Sequence, residues 1–118
     1  MCKINIYTKV SIASFLKQDN VKRVAIYGYG VIGKKLLDEL IKEHIRVEYM
    51  VDKAETYQDN NIIVYRPEDD LPSVDIMIVT PIFAYSEIKQ QFCKRNMNIA
   101  SLGEIIDTLL RDVIEYVE

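Results

Sequence analysis

Apolar and polar positions along the chain follow two rhythms, and the change from one to the other divides it into strands and helices. "RVAIY" (23–27) is a short apolar run of the buried-strand kind, and it leads straight into "GYGVIGKKLLDELIKEH" (28–44). There Ile32, Leu36 and Leu40 interleave with Gly33, Leu37 and Ile41, while charged pairs at 34/35, 38/39 and 42/43 fill the other side. That spacing predicts an amphipathic helix lying on a sheet. "RVEYMVD" (46–52) reads as a second strand and "IIVY" (62–65) as a short third, with "DKAETYQDNN" (52–61) as the loop between them. "DIMIVT" (75–80) is apolar and β-rich throughout, as a central parallel strand covered on both faces requires.

The helical rhythm then returns. "YSEIKQQFCKR" (85–95) carries Tyr85, Ile88 and Phe92 on one side, and "NIASL" (98–102) gives a fifth strand. Ser101 and Glu104 have the S-x-x-E spacing of a capping box ahead of a last helix. Its stripe is Ile105, Ile106, Leu109, Leu110, Val113, Ile114 and Val117. A first helix is predicted around "SIASFLKQ" (11–18). Strands alternating with helices imply an α/β fold with right-handed crossovers. The expectation is one Rossmann-like domain over residues 1–118, with an N-terminal helical segment (1–22) and a core (23–118). Its open parallel sheet would have about five strands in the order 3-2-1-4-5, with helices on both faces.

Composition narrows the partners. With 118 residues, 49% apolar and 28% charged, the chain has the balance of one globular domain able to build its own core. The net charge is −3, and Lys and Arg are scattered, so the basic footprint of a nucleic-acid binder is missing. No apolar run reaches the roughly 18 residues of a membrane span, and "MCKINIYTKV" lacks a signal-peptide core, so a cytoplasmic location is expected. Cys2 and Cys93 fit reduced thiols there. One histidine (His44) and two cysteines, without CxxC or HxxxH, argue against a structural zinc site.

The candidate chemistry lies where the first strand meets the first long helix. Gly28, Gly30 and Gly33 form G-x-G-x-x-G between the two, the context that gives this pattern meaning. Gly28 would make the tight turn, Gly30 would admit a pyrophosphate to the backbone, and Gly33 would let helix and strand lie close. The N–H groups near Val31, Ile32 and Gly33 sit at the positive end of the helix, an anion site. Asp52 ends the second strand nineteen positions beyond Gly33, near the offset of about 20 expected for a ribose-binding acid. The plainer reading is that the glycines serve helix packing alone and that Asp52 only starts a loop.

Ligands of open α/β sheets bind outside the carboxyl ends of the strands. Tyr29, Asp52, Lys53, Thr80 and Pro81 belong to that edge, although Thr80 and Pro81 also read simply as a turn that closes a strand. His44 and Cys93 belong to the opposite edge, with His44 as a helix C-terminal residue. Tyr85 and Lys89 give Y-x-x-x-K, but Tyr85 falls on the apolar stripe, which favours core packing over catalysis.

"VAIYGYGVIGKKLLDELIKEHIRVEYMVDK", "IIVYRPEDDLPSVDIMIVTPIFAYSEIKQQF" and "IASLGEII" together resemble a bacterial Rossmann-type domain of polysaccharide and nucleotide-sugar biosynthesis. Such domains precede the catalytic domain of nucleoside-diphosphate-sugar dehydratases and epimerases, close sugar C-methyltransferases and open sugar acetyltransferases. The resemblance runs from residue 23 to about 108, with Ile63 and Arg66 standing where the family pattern has proline and serine. It implies a nucleotide or nucleotide-sugar binding role for Gly28, Gly30, Gly33 and Asp52. If the ligand is a dinucleotide, NAD(P) is expected with NAD preferred, because a 2′-phosphate would stand close to the Asp52 carboxylate. The relatives' catalytic domains have no counterpart in these residues, so no catalysis comes with it.

Four functions remain to be weighed: a nucleotide-binding module, a small NAD-dependent oxidoreductase or epimerase/dehydratase fragment, an S-adenosylmethionine methyltransferase, and an interaction domain with a vestigial pocket. A catalytic acid at the ligand edge is lacking for the second. The methyltransferase corner has an acid two positions before its first glycine, where this chain has Ile26. The expected partners are a small nucleotide and either a second copy or a fused catalytic domain.

Overall fold

The computed structural model describes residues 12–18, 20–53, 57–59, 62–95 and 97–117. Cys2 and most of the N-terminal segment lie outside them. In chain order the elements are α1 (Ile12–Gln18), β1 (Arg23–Tyr27), α2 (Val31–Lys42), β2 (Arg46–Val51), β3 (Tyr57–Asp59), β4 (Ile62–Tyr65), β5 (Ile76–Val79), α3 (Tyr85–Phe92), β6 (Ile99–Ser101) and α4 (Leu102–Val117). They build one sheet in the order β3-β4-β2-β1-β5-β6. The five strands β4, β2, β1, β5 and β6 are parallel neighbours. Counted among themselves they have the expected order 3-2-1-4-5, a Rossmann-like α/β fold.

Beyond the expectation is β3, which pairs antiparallel with the outer side of β4. The segment read as a loop therefore contains an edge strand. Three residues, Tyr-Gln-Asp, are too few to show a period, and an edge strand needs only one neighbour.

Strand residues alternate between two cores, as the pleat dictates. Val24 and Ile26 of β1 and Ile76 and Ile78 of β5 point to a first face, where Leu16 of α1, Leu36, Leu37 and Leu40 of α2 and Ile105 and Leu109 of α4 cover them. Ala25, Tyr27, Met77 and Val79 point to the second, under Ile88 and Phe92 of α3. In β2 the alternation breaks: Val24 pairs with Val47 but Ala25 with Tyr49, leaving Glu48 as a bulge. The extra residue moves Tyr49 onto the second face, whereas Val47 stays with the first.

The helix stripes are narrower than their periods predict. Ile32 and Ile41 flank the buried ridge of α2 and are each 56% exposed. Ile106 and Leu110 on α4 are 40% and 56% exposed, while Ile105 and Leu109 are buried. One helix on a flat sheet buries little more than its central ridge, so the edge positions of a broad stripe stay outside. The side chains of Val113, Ile114 and Val117 lie outside the described residues. No helix among the described residues is long and apolar enough to cross a membrane.

Both connections into the sheet on the first face close in the same way. Ile45 N–H bonds Leu40 O at 2.9 Å and His44 N–H bonds Ile41 O at 3.0 Å, with His44 at φ 63°. Val21 N–H bonds Leu16 O and Asn20 N–H bonds Lys17 O, with Asn20 at φ 59°. These are Schellman closures whose left-handed position is filled by His44 and Asn20 rather than glycine.

Candidate functional site at the glycine corner

The glycine corner lies at the carboxyl end of β1, in the middle of the sheet. Gly28 has φ +109°, a conformation side chains rarely adopt, and its N–H bonds Val51 O at 2.7 Å. A Cβ there would stand 2.3 Å from Thr80 Oγ1. At Gly33 a Cβ would stand 1.8 Å from Gly28 O, so this glycine is what lets α2 lie against the strand end. Gly30 differs from both. Its φ of −98° is open to any residue, and a Cβ there would meet nothing within 4 Å. Packing explains two glycines of the three and leaves Gly30 unexplained.

Gly30 is also the N-cap of α2, and no side chain caps that helix. The first intrahelical donor is Lys34, whose N–H bonds Gly30 O at 3.0 Å. The N–H groups of Val31, Ile32 and Gly33 precede it in the first turn, where the helix dipole is positive. Gly30, Val31, Ile32 and Gly33 border a hollow of about 420 Å³, which Gly28, Asp52, Thr80 and Pro81 complete. Val31 and Ile32 are 71% and 56% exposed at its rim.

A second hollow of about 220 Å³ shares Gly28, Asp52 and Pro81 with the first. Tyr27, Lys53, Ala84 and Ile88 form its other walls. The two meet at Asp52, which directly follows β2. Asp52 N–H bonds Tyr65 O at 2.8 Å, continuing the ladder between β2 and β4, and its Oδ2 accepts the Tyr29 N–H at 2.7 Å.

Nine of the ten residues predicted for this edge border the hollows: Gly28, Gly30, Val31, Ile32, Gly33, Asp52, Lys53, Thr80 and Pro81. Tyr29 does not. Its ring packs into the first core, beneath Lys34 Nζ at 4.6 Å, and its backbone N–H serves Asp52. Thr80 is held within the fold, since its hydroxyl donates to Tyr27 O at 2.9 Å.

Tyr27, Ala84 and Ile88 were not in the sequence reading of the site. Only Tyr27 left a signal, a polar-tipped residue closing an apolar strand directly before the first glycine. It is 3% exposed, its ring edge-on to Phe92, and its hydroxyl is buried with no hydrogen-bond partner among the described residues. Burial pushes its pKa up, and Asp52, Glu68 and Glu87 push it the same way.

The residues set aside also have places. His44, at the C-terminal end of α2, and Cys93, after α3, are exposed at the opposite edge of the sheet. Tyr85 packs against the second core with Lys89 Nζ 5.9 Å from its ring centre. No cluster of metal ligands forms among the described residues.

No protein-family model matches this chain, and no curated protein does. Among solved structures the chain is similar to a dimeric ketopantoate reductase from Staphylococcus aureus, with 18% identity and a TM-score of 0.47. That similarity covers 67% of this chain and 35% of the reductase, so the chain spans about a third of its length.

Proposed function

We propose that this chain is a nucleotide-binding domain that holds NAD(P), with NAD preferred, in the cleft formed by the two hollows. The observation that carries the reading is Gly30. No packing contact requires a glycine there beyond its N-cap position, and the space its missing side chain leaves opens onto the start of α2, where a diphosphate would find both N–H donors and a positive dipole. Asp52, where the hollows meet, would take a ribose, and the apolar walls of the smaller hollow would take a planar base.

Sugar metabolism enters only through the resemblance of residues 23–108 to domains of nucleotide-sugar and polysaccharide biosynthesis. On that reading a nucleotide sugar is the second candidate ligand. Catalysis is assigned to a separate domain or partner chain, because His44 and Cys93 stand away from the cleft and Tyr85 is committed to packing. The exposed Ile106 and Leu110 on α4 suit contact with such a partner or with a second copy.

Calorimetric titration with NAD, NADP, ADP, UDP-sugars, S-adenosylmethionine and coenzyme A tests the reading. A ligand at 100 times its Kd should also raise stability by about 2.7 kcal/mol, visible as a shift in Tm. Gly30→Val should abolish nucleotide binding and keep the fold, since its side chain enters the phosphate space. Equal affinity in the wild type and the variant would show that the corner is structural only.

A further inference from the structure

Phe83 is the most exposed large apolar residue among those described, at 105%, so its ring stands wholly in water. It lies in the short 3-10 turn Ile82–Ala84 between β5 and α3, at the carboxyl edge of the sheet. Ala84 N–H bonds Pro81 O at 3.2 Å, closing the turn that carries Phe83. Those two residues are walls of the smaller hollow, so the ring is mounted on its rim. Nothing in the fold uses an aromatic ring there, and leaving one in water forgoes the gain of burial. Val31 and Ile32, also exposed, border the larger hollow together with Pro81. Three of the most exposed large apolar residues therefore share one edge with the cleft.

The smaller hollow is the matching recess. Pro81, Ala84 and Ile88 give it apolar walls, and it measures about 220 Å³. An apolar cavity of about 150 Å³ is room enough for benzene. A ring-shaped knob and a ring-sized hole thus stand side by side on the same edge, with the knob turned out to solvent. A two-fold axis joins a surface of this kind to itself, each knob meeting the other copy's hole. A partner of different sequence would have to bring both a pocket for Phe83 and a side chain for the hollow. A second copy brings both, and makes the contact twice. Aromatic anchors seated in pockets are also the residues that dominate interface energies.

We propose that two copies of this chain pair across their carboxyl edges, each inserting Phe83 into the smaller hollow of the other, against Pro81, Ala84 and Ile88. Pairing and nucleotide binding then exclude one another, because the ring takes the space assigned above to the base. That second half rests on the nucleotide reading of the cleft; the pairing does not. Self-association covers the empty cleft, and a nucleotide releases single copies.

Sedimentation across the micromolar range tests the pairing with the wild type, Phe83→Ser and Ala84→Leu. The first variant removes the knob, whose side chain is fully exposed, and so leaves the fold undisturbed. The second fills the hole. The wild type should form dimers, and each variant should pair about a hundredfold more weakly, since symmetry removes the anchor twice. A wild type that stays single throughout, or either variant pairing as tightly as the wild type, overturns the inference. Adding ADP should convert wild-type dimers to single copies as the cleft fills. ADP that binds and leaves the dimer whole overturns the inference while the nucleotide reading stands. A wild type that pairs through Phe83 but binds neither ADP nor NAD overturns the nucleotide reading, and the exclusion with it, while the pairing stands.

Discussion

Asp52 Oδ2 accepts the backbone N–H of Tyr29 at 2.7 Å, which ties the end of β2 to the middle of the glycine corner. Tyr29 sits between Gly28 and Gly30, so the carboxylate is fixed relative to both hollows. A charge-assisted bond of this kind contributes roughly 1.5–3 kcal/mol. It also holds the carboxylate where the two hollows meet.

NAD should therefore bind more tightly than NADP, because a 2′-phosphate would stand close to that carboxylate. Two like charges ~4 Å apart repel by about 1 kcal/mol in water and about 4 at an effective dielectric of 20. At about 1.4 kcal/mol per decade this is roughly five- to several-hundred-fold. Lys53, exposed in the same hollow, offsets part of the repulsion and sets the expectation in the lower half. In Asp52→Asn the preference should shrink. NADP binding as tightly as NAD to the wild type would remove Asp52 from the ribose.

The three glycines should separate by experiment as they do by geometry. Gly33→Ala drives a Cβ into Gly28 O and forces α2 away from β1, at a cost of about 3 kcal/mol or more. Gly30→Ala meets open space and should stay within about 1 kcal/mol of the wild type, the scale of a poorer N-cap. Urea unfolding of both variants checks this. Similar midpoints would mean that the helix does not rest on Gly28.

His44 offers a gain in stability. Its left-handed backbone, φ 63°, closes α2 in the position where glycine is preferred. His44→Gly should stabilise by roughly 0.5–1 kcal/mol, or about 2–4 °C in Tm, and His44→Ala should not. Equal melting of the two variants would show that the strain is negligible.

Much of this architecture was legible because it is periodic. The strands at 23–27 and 76–79 are apolar on both faces, and the helix at 31–42 follows Gly28 and Gly30 directly. Asp52 was legible by its offset from Gly33. What escaped depends on contacts rather than on period. Glu48 reads as an ordinary strand residue, yet it is the bulge that turns Tyr49 to the second face. Ile88 and Tyr27 are sixty-one positions apart in sequence and meet only when α3 crosses the sheet. The bond between Asp52 and a backbone N–H has no signature in side-chain pattern at all.

Tyr49 should make the fold sensitive to alkali. Burial pushes its pKa up to about 12 from 10.0; Arg95 opposes that shift and Tyr65 adds to it. Below pH 10 the phenol is neutral in both folded and unfolded chains, and its full contribution to stability is present. Above pH 10 the unfolded chain loses the proton while the folded chain keeps it, so the unfolded state binds fewer protons and stability falls with pH. The loss is complete near pH 12, where both states are ionised. Two pKa units correspond to about 2.7 kcal/mol, and about 2 is expected after partial relaxation of the site. Tyr27 and Tyr85, also shifted upward, act in the same direction. Tyr49→Phe should be about 1 kcal/mol less stable at pH 8, because Pro72 O loses its donor. Between pH 10 and 12 it should lose stability less steeply than the wild type. Urea midpoints at pH 8, 10 and 11.5 give both slopes, and parallel decline in the two proteins would place the alkaline sensitivity elsewhere.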